Sequence, residues 1–238
     1  MNGMIRSIPN IYSGLVAATV AASALLLAGG GAAPASAQKK AAAPAAVPGV
    51  SRTNLAESAS FVVTSTLAPK GGSKVTQVYR VEVKGNNARL DYSDPAIGAV
   101  RYVANGKGVF FYIPANNTAV KQSFKGGVEG ALRVAFAQAN EQLRTARKIG
   151  SAVVSGQPTD IYKDPKSGAI IYLGKKPGFR LPVKTVLANE GGTRTVTVTD
   201  IKLNVALSDA RFALPSGTQI IDSQEGAPPV AGGLPGGR

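Results

Sequence analysis

The sequence predicts a mainly β protein of the α+β class. We expect a strongly curved antiparallel sheet forming an open half-barrel, with one long helix at about residues 127–148 packed against its concave face. Many short segments rich in β-branched and aromatic residues alternate between apolar and polar positions and are separated by turn residues. Only one segment has helical periodicity. Because short turns join consecutive strands, the pattern excludes a parallel βαβ fold and favours a barrel or part of one.

The predicted strands follow one another through most of the chain. The hairpin around Asn105-Gly106 has the residues of a type I′ turn. In the last long strand the apolar phase flips around Thr199-Asp200, which predicts a β-bulge there. The strands cover residues 61–67, 74–84, 88–92, 100–104, 109–113, 118–124, 152–155, 159–163, 170–173, 181–187 and 193–207.

The predicted helix carries apolar residues at three- and four-residue spacing, including Leu132 and Phe136. Arg147 and Lys148 come in its last turn, where the helix dipole favours cations, and Gly150 follows. This face either covers the sheet as ordinary core or forms a lid over a cavity; apolar spacing alone favours the first.

The ends of the chain differ in composition from its centre. Residues 1–37 have the pattern of a secretory signal peptide, with an apolar stretch and then Ala35-Ser36-Ala37. We expect cleavage after Ala37 and a periplasmic location; an uncleaved membrane anchor is the alternative. Residues 38–50 form an Ala/Pro linker and residues 223–238 a disordered Gly/Pro tail, so residues 51–222 are the folded domain.

Composition excludes several kinds of enzyme. The 238 residues contain no Cys, His or Trp, and 27 basic against 13 acidic side chains give a net charge of +14. A Ser-His-Asp triad, a thiol nucleophile and a His-ligated zinc are therefore impossible. We expect no cofactor, no metal and no enzymatic activity.

Carboxylate pairs could in principle support catalysis, as in a glycosidase. The candidates are Asp91 with Asp94, and Asp160 with Asp164. Each lies in or beside a predicted turn, where Asp commonly bonds the backbone, and that interpretation is favoured.

The basic side chains are scattered, and no nucleic-acid-binding motif accompanies them, so we expect no nucleic acid as partner. An exported cationic protein can meet anionic membrane surfaces or acidic envelope proteins. A solvated basic surface is the alternative.

Two strands, residues 109–113 and 170–173, are apolar on both faces and need cover on two sides. An apolar ligand cavity between sheet and helix and an ordinary two-layer core both satisfy this need. For a cavity, alternation predicts these lining residues: Phe61, Val63, Val75, Tyr79, Val81, Val83, Tyr102, Phe111 and Ile113, with Leu132 and Phe136 from the helix.

The order of elements resembles the outer-membrane lipoprotein carrier and sorting family, which has the LolA/LolB-like fold. The resemblance rests on residues 79–92 (YRVEVKGNNARLDY), 106–120 (GKGVFFYIPANNTAV), 181–184 (LPVK) and 207–222 (LSDARFALPSGTQIID). It implies an open half-barrel whose apolar cavity holds lipid acyl chains during transit. It also implies that Arg89 latches the lid. The alternative for Arg89 is an outward side chain paired with Asp91 or a cross-strand carboxylate.

Three functions follow as hypotheses. The first is a soluble, monomeric periplasmic carrier or chaperone that binds the acyl chains of lipids or lipoproteins for transport toward the outer membrane. The second is an envelope regulatory or assembly module on the same scaffold that binds a protein partner. The third is a hydrolase that uses a carboxylate pair.

Overall fold

A single open sheet of twelve strands makes up most of the described protein. The computed structural model describes residues 54–122, 140 and 142–222. The order across the sheet is β12-β6-β5-β4-β3-β2-β1-β11-β10-β9-β8-β7. The strands are β1 (Ser58–Pro69), β2 (Val75–Lys84), β3 (Asn87–Asp94), β4 (Gly98–Asn105), β5 (Gly108–Ile113), β6 (Thr118–Gln122), β7 (Arg147–Val154), β8 (Gln157–Lys163), β9 (Ile170–Gly174), β10 (Pro182–Asn189), β11 (Gly192–Leu203) and β12 (Gln219–Asp222).

Strand β1 lies in the middle of the sheet and joins its two halves. It pairs with β2 on one side and with β11 on the other, both antiparallel. Strands β2 to β6 and strands β7 to β11 each form an antiparallel meander, and β12 adds to β6 in parallel. The predicted mainly β architecture with an open antiparallel sheet is confirmed.

The predicted bulge in β11 is present. The register between β1 and β11 shifts between Ser60 and Val62, which pair with Lys202 and Thr199. Asp200, at the shift, has a φ of 53°. The extra residue turns the side chains of β11 over, so that apolar residues on both sides of Asp200 reach the same core.

The predicted β4–β5 hairpin is correct, but its turn type is wrong. Asn105 pairs with Gly108, so the turn residues are Gly106 and Lys107, and neither has a positive φ. A type I′ turn requires a positive φ at both central residues. Instead, Asn105 is the last residue of β4 and stabilises the turn, since its Oδ1 accepts a hydrogen bond of 2.9 Å from the Lys107 amide.

The predicted helix is described only near its end. Residue 140 and residues 142–145 are helical, and Leu143 packs in the main core. The expected end at Lys148 is wrong, because Arg147 and Lys148 begin β7. Lys148 lies 2.9 Å from Asp160 on the neighbouring strand, so its charge is paired across the sheet. Residues 127–139 lie outside the described residues.

The two faces of the sheet are covered differently. We call the face that carries the main apolar cluster the inner face; it also receives Leu55, Leu143 and Ala146 from outside the sheet. A T-shaped contact of 5.5 Å between the rings of Phe61 and Phe179 lies within this cluster. The strand residues of the cluster include Ala59, Val63, Val81, Val83, Ala88, Leu90, Val100, Tyr102, Ala104, Val109, Tyr162, Ile171, Leu173, Val183, Val196 and Val198.

The C-terminal segment, residues 204–222, covers part of the opposite, outer face. Phe110 and Tyr112 are buried there and pack with Leu214. The outer side of the strand at residues 109–113 is therefore covered by protein, whereas Phe111 and Ile113 on its inner side are half-buried. In the described part of the chain, no helix has the length and apolar character needed to cross a membrane.

Polar contacts hold the C-terminal segment against the sheet. Arg211 pairs with both carboxylate oxygens of Glu82, at 2.5 and 2.8 Å. The Asn105 side-chain amide donates to the Phe212 carbonyl at 2.6 Å, and that of Asn117 donates to the Gly217 carbonyl at 3.0 Å.

Candidate ligand-binding face

The described residues of the predicted cavity set share the inner face. The pairing puts Phe61 beside Val81, Val63 beside Tyr79, and Tyr102 beside Phe111. Their exposure differs. Phe61, Val63, Val81, Val83 and Tyr102 are buried in the core, Tyr79, Phe111 and Ile113 are half-buried, and Val75 is 60% exposed. Leu132 and Phe136 lie outside the described residues, and a cavity lined by this set stays a prediction.

An aromatic row crosses four neighbouring strands on the inner face. The ring centroids of Tyr79 on β2 and Tyr92 on β3 are 5.4 Å apart. Tyr92 stacks on Tyr102 at 6.4 Å, and Tyr102 meets Phe111 edge-on at 5.0 Å. Tyr79, Tyr92 and Phe111 are only half-buried. The row therefore continues the apolar core as a partly accessible aromatic surface.

Two inner-face residues with unusual polar environments were not among the predicted site residues. Arg194 on β11 alternates with the buried Val196 and Val198, and its Nε is buried without a hydrogen-bond partner in the described structure. Thr185 on β10 pairs with Val196 and is 3% exposed. Its hydroxyl also has no hydrogen-bond partner in the described structure. The sequence TRTVTV could have indicated this, because strand alternation places Arg194 on the same face as Val196 and Val198.

Tyr79 and Arg194 influence each other electrostatically. Burial raises the pKa of the Tyr79 hydroxyl, while the positive charge of Arg194 acts to lower it and Asp94 to raise it. Burial lowers the pKa of Arg194, and Tyr79 acts in the opposite direction. The two side chains therefore belong to one partly desolvated region.

Arg89 lies on the outer face, opposite the core side chains of Ala88 and Leu90. Its guanidinium pairs with Asp91 at 2.6 and 2.7 Å, and Asp91 also accepts from Arg101 at 2.8 Å. The inward orientation that a latch on the helix requires is not observed, and the outward pairing with Asp91 is. The cause is the strand alternation, which assigns Arg89 and Asp91 to the same side. Arg89 reaches a covering segment on that side, the Arg211 carbonyl, at 3.4 Å.

The candidate catalytic carboxylates are each engaged in other contacts. Asp91 has its two arginines, and Asp94 accepts from the amides of Ala96 and Ile97 in the turn after β3. Asp160 accepts from Ser151 at 2.8 Å and pairs with Lys148, and these interactions lower its pKa.

Asp164 is buried, with 3% exposure, in the turn after β8. It accepts hydrogen bonds from the Thr145 and Ser167 hydroxyls at 2.7 and 2.6 Å, and from the amides of Lys166 and Ser167. Burial acts to raise the pKa of Asp164, but these hydrogen bonds outweigh it and lower the pKa overall. Asp164 thus joins the end of the helical residues to the β8–β9 turn.

A cavity of about 510 Å³ lies on the outer face, between the C-terminal segment and the sheet. Phe110, Phe212, Leu214 and Ile220 supply apolar walls, and Asn105 and Lys107 line its polar side. It is therefore on the face opposite the predicted cavity set. Within residues 54–122 and 142–222, no group of three acidic side chains is arranged to hold a metal ion.

No protein-family model and no curated protein matches the sequence. Among solved structures, the chain is similar to an uncharacterized conserved protein from Thermus thermophilus, with 15% identity and a TM-score of 0.46 over 71% of this chain and 93% of that one. It is also similar to a LolA superfamily protein from Nitrosomonas europaea, with 14% identity and a TM-score of 0.37 over 66% and 90% of the two chains. A third match is MucB in the MucA/MucB complex of Pseudomonas aeruginosa, with 17% identity and a TM-score of 0.40 over 68% and 58%. The second of these matches carries the name of the superfamily that the sequence resembles, and the likeness is one of fold.

Proposed function

We propose that this chain is an extracytoplasmic carrier or chaperone that binds the acyl chains of lipids or lipoproteins on the inner face of its sheet. Residues 1–37 direct its export in this proposal and are removed after Ala37, which leaves the mature protein in the periplasm. The net charge of +14 is compatible with approach to anionic membrane surfaces.

The observation that carries the proposal is the aromatic row. Three half-buried rings in contact with the buried Tyr102, continuous with an apolar core, provide area for an acyl chain without specific polar partners. Rings are rigid, so little conformational entropy is lost when they bind such a chain.

We also propose that the protein is not an enzyme. Asp91, Asp94, Asp160 and Asp164 are each engaged by hydrogen-bond donors or cations of the fold. A general acid with a raised pKa is needed for glycoside hydrolysis, whereas the pKa values of Asp160 and Asp164 are lowered.

The test uses uptake of N-phenyl-1-naphthylamine, an uncharged fluorescent apolar probe. Wild-type protein should bind it, and Phe111→Asp should abolish binding, because a carboxylate placed in the aromatic row must be desolvated when the probe docks. The matched control is Val78→Asp, at a position of β2 that is 47% exposed on the outer face.

Circular dichroism establishes that both variants are folded. A folded Phe111→Asp protein with wild-type uptake would remove the aromatic row from the binding site. Absence of probe binding by the wild-type protein itself would contradict the carrier function.

The second candidate is a module that binds a protein partner, and the edge strand β7 favours it. Within the described residues β7 pairs only with β8, so its other edge offers unpaired backbone groups. Ile149 and Val153 on this strand are 57% and 72% exposed. An extended peptide can add to such an edge as a further strand.

Native mass spectrometry of the protein purified from its own envelope separates the two candidates. Co-purified lipid supports the carrier, and a stoichiometric polypeptide supports the protein-binding module. The same spectrum gives the mass of the mature chain, which begins at Gln38 if the signal peptide is cleaved as proposed.

A further inference from the structure

Arg194 is a cation in an apolar environment. Its neighbours along the inner face of β11 are Val196 and Val198, and its cross-strand partners are Leu67 on β1 and Leu187 on β10. No carboxylate among the described residues forms an ion pair with it. The half-buried Arg194 side chain therefore has no ion-pair partner among the described residues, although burying a charge is costly unless it is paired.

The two residues with unpartnered polar atoms lie on adjacent strands. In the described part of the chain, the buried side-chain atoms without a hydrogen bond are the Arg194 Nε and the Thr185 Oγ1. Thr185 pairs with Val196, next along the inner face from Arg194, so the two side chains are diagonal neighbours on adjacent strands. Buried polar atoms of native proteins nearly always have partners, so these two atoms require partners other than the described residues.

The chemistry of the two groups defines a ligand that fits them. A guanidinium presents a planar fork of donors that fits the oxygens of a carboxylate or a phosphate, and a threonine hydroxyl can donate a further hydrogen bond. Leu67 and Val75, paired on β1 and β2 beside this position, are 45% and 60% exposed. An anion bound here therefore has accessible apolar surface next to it.

We propose that Arg194 and Thr185 bind the anionic head group of an amphiphile whose apolar tail lies along the aromatic row, starting at Tyr79. This inference rests on the proposed carrier function and specifies its ligand class: a single-chain or phospholipid-like molecule with a carboxylate or phosphate head. Tyr79 connects the two parts of the site, because it stands at the end of the row and within electrostatic reach of Arg194.

The test measures displacement of N-phenyl-1-naphthylamine by probes that share a dodecyl chain: dodecanoate, dodecyl phosphate and dodecanol. Arg194→Met should weaken the anionic probes by about ten-fold or more, because it removes charge-assisted hydrogen bonds, and should change the affinity for dodecanol by less than about two-fold. Comparison of dodecanoate with dodecyl phosphate distinguishes a fatty-acid ligand from a phospholipid-like one.

Two further variants keep the result interpretable. Thr185→Val retains the shape of the side chain and should weaken the anionic probes by about three-fold or more even if Arg194→Met does not fold. Arg80→Met removes the same charge from an exposed outer-face position of β2 and should leave all three affinities unchanged.

The possible failures are distinguishable. The head-group site would be overturned, while the carrier function stands, if a variant lost equal affinity for dodecanol and for the anionic probes. It would also be overturned if Arg194→Met and Thr185→Val both kept wild-type affinity for the anionic probes. A wild-type protein that binds neither the fluorescent probe nor dodecanol would overturn the proposed function itself.

Discussion

Asp164 illustrates how the acidic residues of this basic protein are used. Its carboxylate is buried and accepts hydrogen bonds from the Thr145 and Ser167 hydroxyls and from two backbone amides. It thereby joins the turn between β8 and β9 to the end of the helical residues. Asp164 therefore has a structural role, because its negative charge is stabilised by hydrogen-bond donors of the protein itself.

We expect Asp164→Asn to destabilise the protein by about 1–3 kcal/mol at pH 7, because the charge that strengthens these hydrogen bonds is lost. The folded-state pKa of Asp164 lies below its unfolded value, so its contribution is complete above the unfolded pKa and is lost as pH falls through the folded pKa. Urea unfolding of wild type and variant should therefore differ at pH 7 and converge toward pH 2.

Asp209→Asn is the matched control. Asp209 pairs with Lys84, but its side chain is 81% exposed, so we expect an effect below about 1 kcal/mol at either pH. A difference between wild type and Asp164→Asn that stayed constant from pH 7 to pH 2 would contradict the role assigned to the charge.

At the scale of the element, the end of the β1–β11 pairing depends on one glycine. Gly192 has a φ of 141° and pairs with Pro69. A Cβ there would lie 2.6 Å from the Pro69 Cα and closer still to the Ala68 carbonyl oxygen. No side chain fits at this distance without displacement of the backbone of β1.

We expect Gly192→Ala to lower the free energy of unfolding by about 2 kcal/mol or more, from backbone strain together with this contact. Gly106→Ala is the control, because Gly106 has no positive φ and a Cβ there meets no atom within 4 Å. Urea denaturation measures both; a Gly192→Ala protein as stable as the Gly106→Ala protein would show that β1 can move away without loss.

Elements with local signals were predictable from the sequence. The bulge at Asp200 was predicted because a phase flip in an alternating pattern has few other causes. The inner-face side chains assigned to β1, β2, β4 and β5 followed from the same alternation, whereas the inward face of β3 was left open. In contrast, the helix end was placed too late, since Arg147 and Lys148 also suit a strand once Asp160 is available across the sheet.

The role of the C-terminal segment was not predictable. Its outer-face contacts depend on isolated residues such as Phe212 and Arg211, which have no period and whose partners are more than a hundred residues away in sequence; Arg211 and Glu82 are 129 apart.

Arg89 was misplaced for a related reason: its family-based role required an inward side chain, but its own alternation with Ala88 and Leu90 fixed it outward. The orphaned polar atoms at Arg194 and Thr185 could be found only from the packed structure.

At the scale of the whole molecule, the described strands set a minimum extent for the folded unit. The first described strand begins at Ser58 and the last ends at Asp222. We expect a protein restricted to residues 51–222 to melt within a few degrees of the mature form, because Ala/Pro and Gly/Pro sequences provide neither an apolar face nor ladder hydrogen bonds.

Differential scanning calorimetry of the two forms is the measurement. Removal of residues 218–238, which deletes β12, is the contrasting variant and should lower the melting temperature clearly, since β6 then loses its parallel partner. A large loss on trimming to residues 51–222 would mean that one of the tails docks on the sheet.

The central position of β1 has a consequence for how the chain reaches its native state. β1 is the first of the described strands to be synthesised, yet one of its two partners is β11, and the Ser58 hydroxyl donates a hydrogen bond to the Val205 carbonyl 147 residues later. Contacts so distant in sequence form slowly, and they cannot form at all until the C-terminal part of the chain is available. A nascent chain therefore lacks the complete described sheet until β11 and β12 have been synthesised. That delay is compatible with the export proposed above, in which the chain passes a membrane before it folds, and it leaves the edge of β1 open to pairing with other chains during that interval.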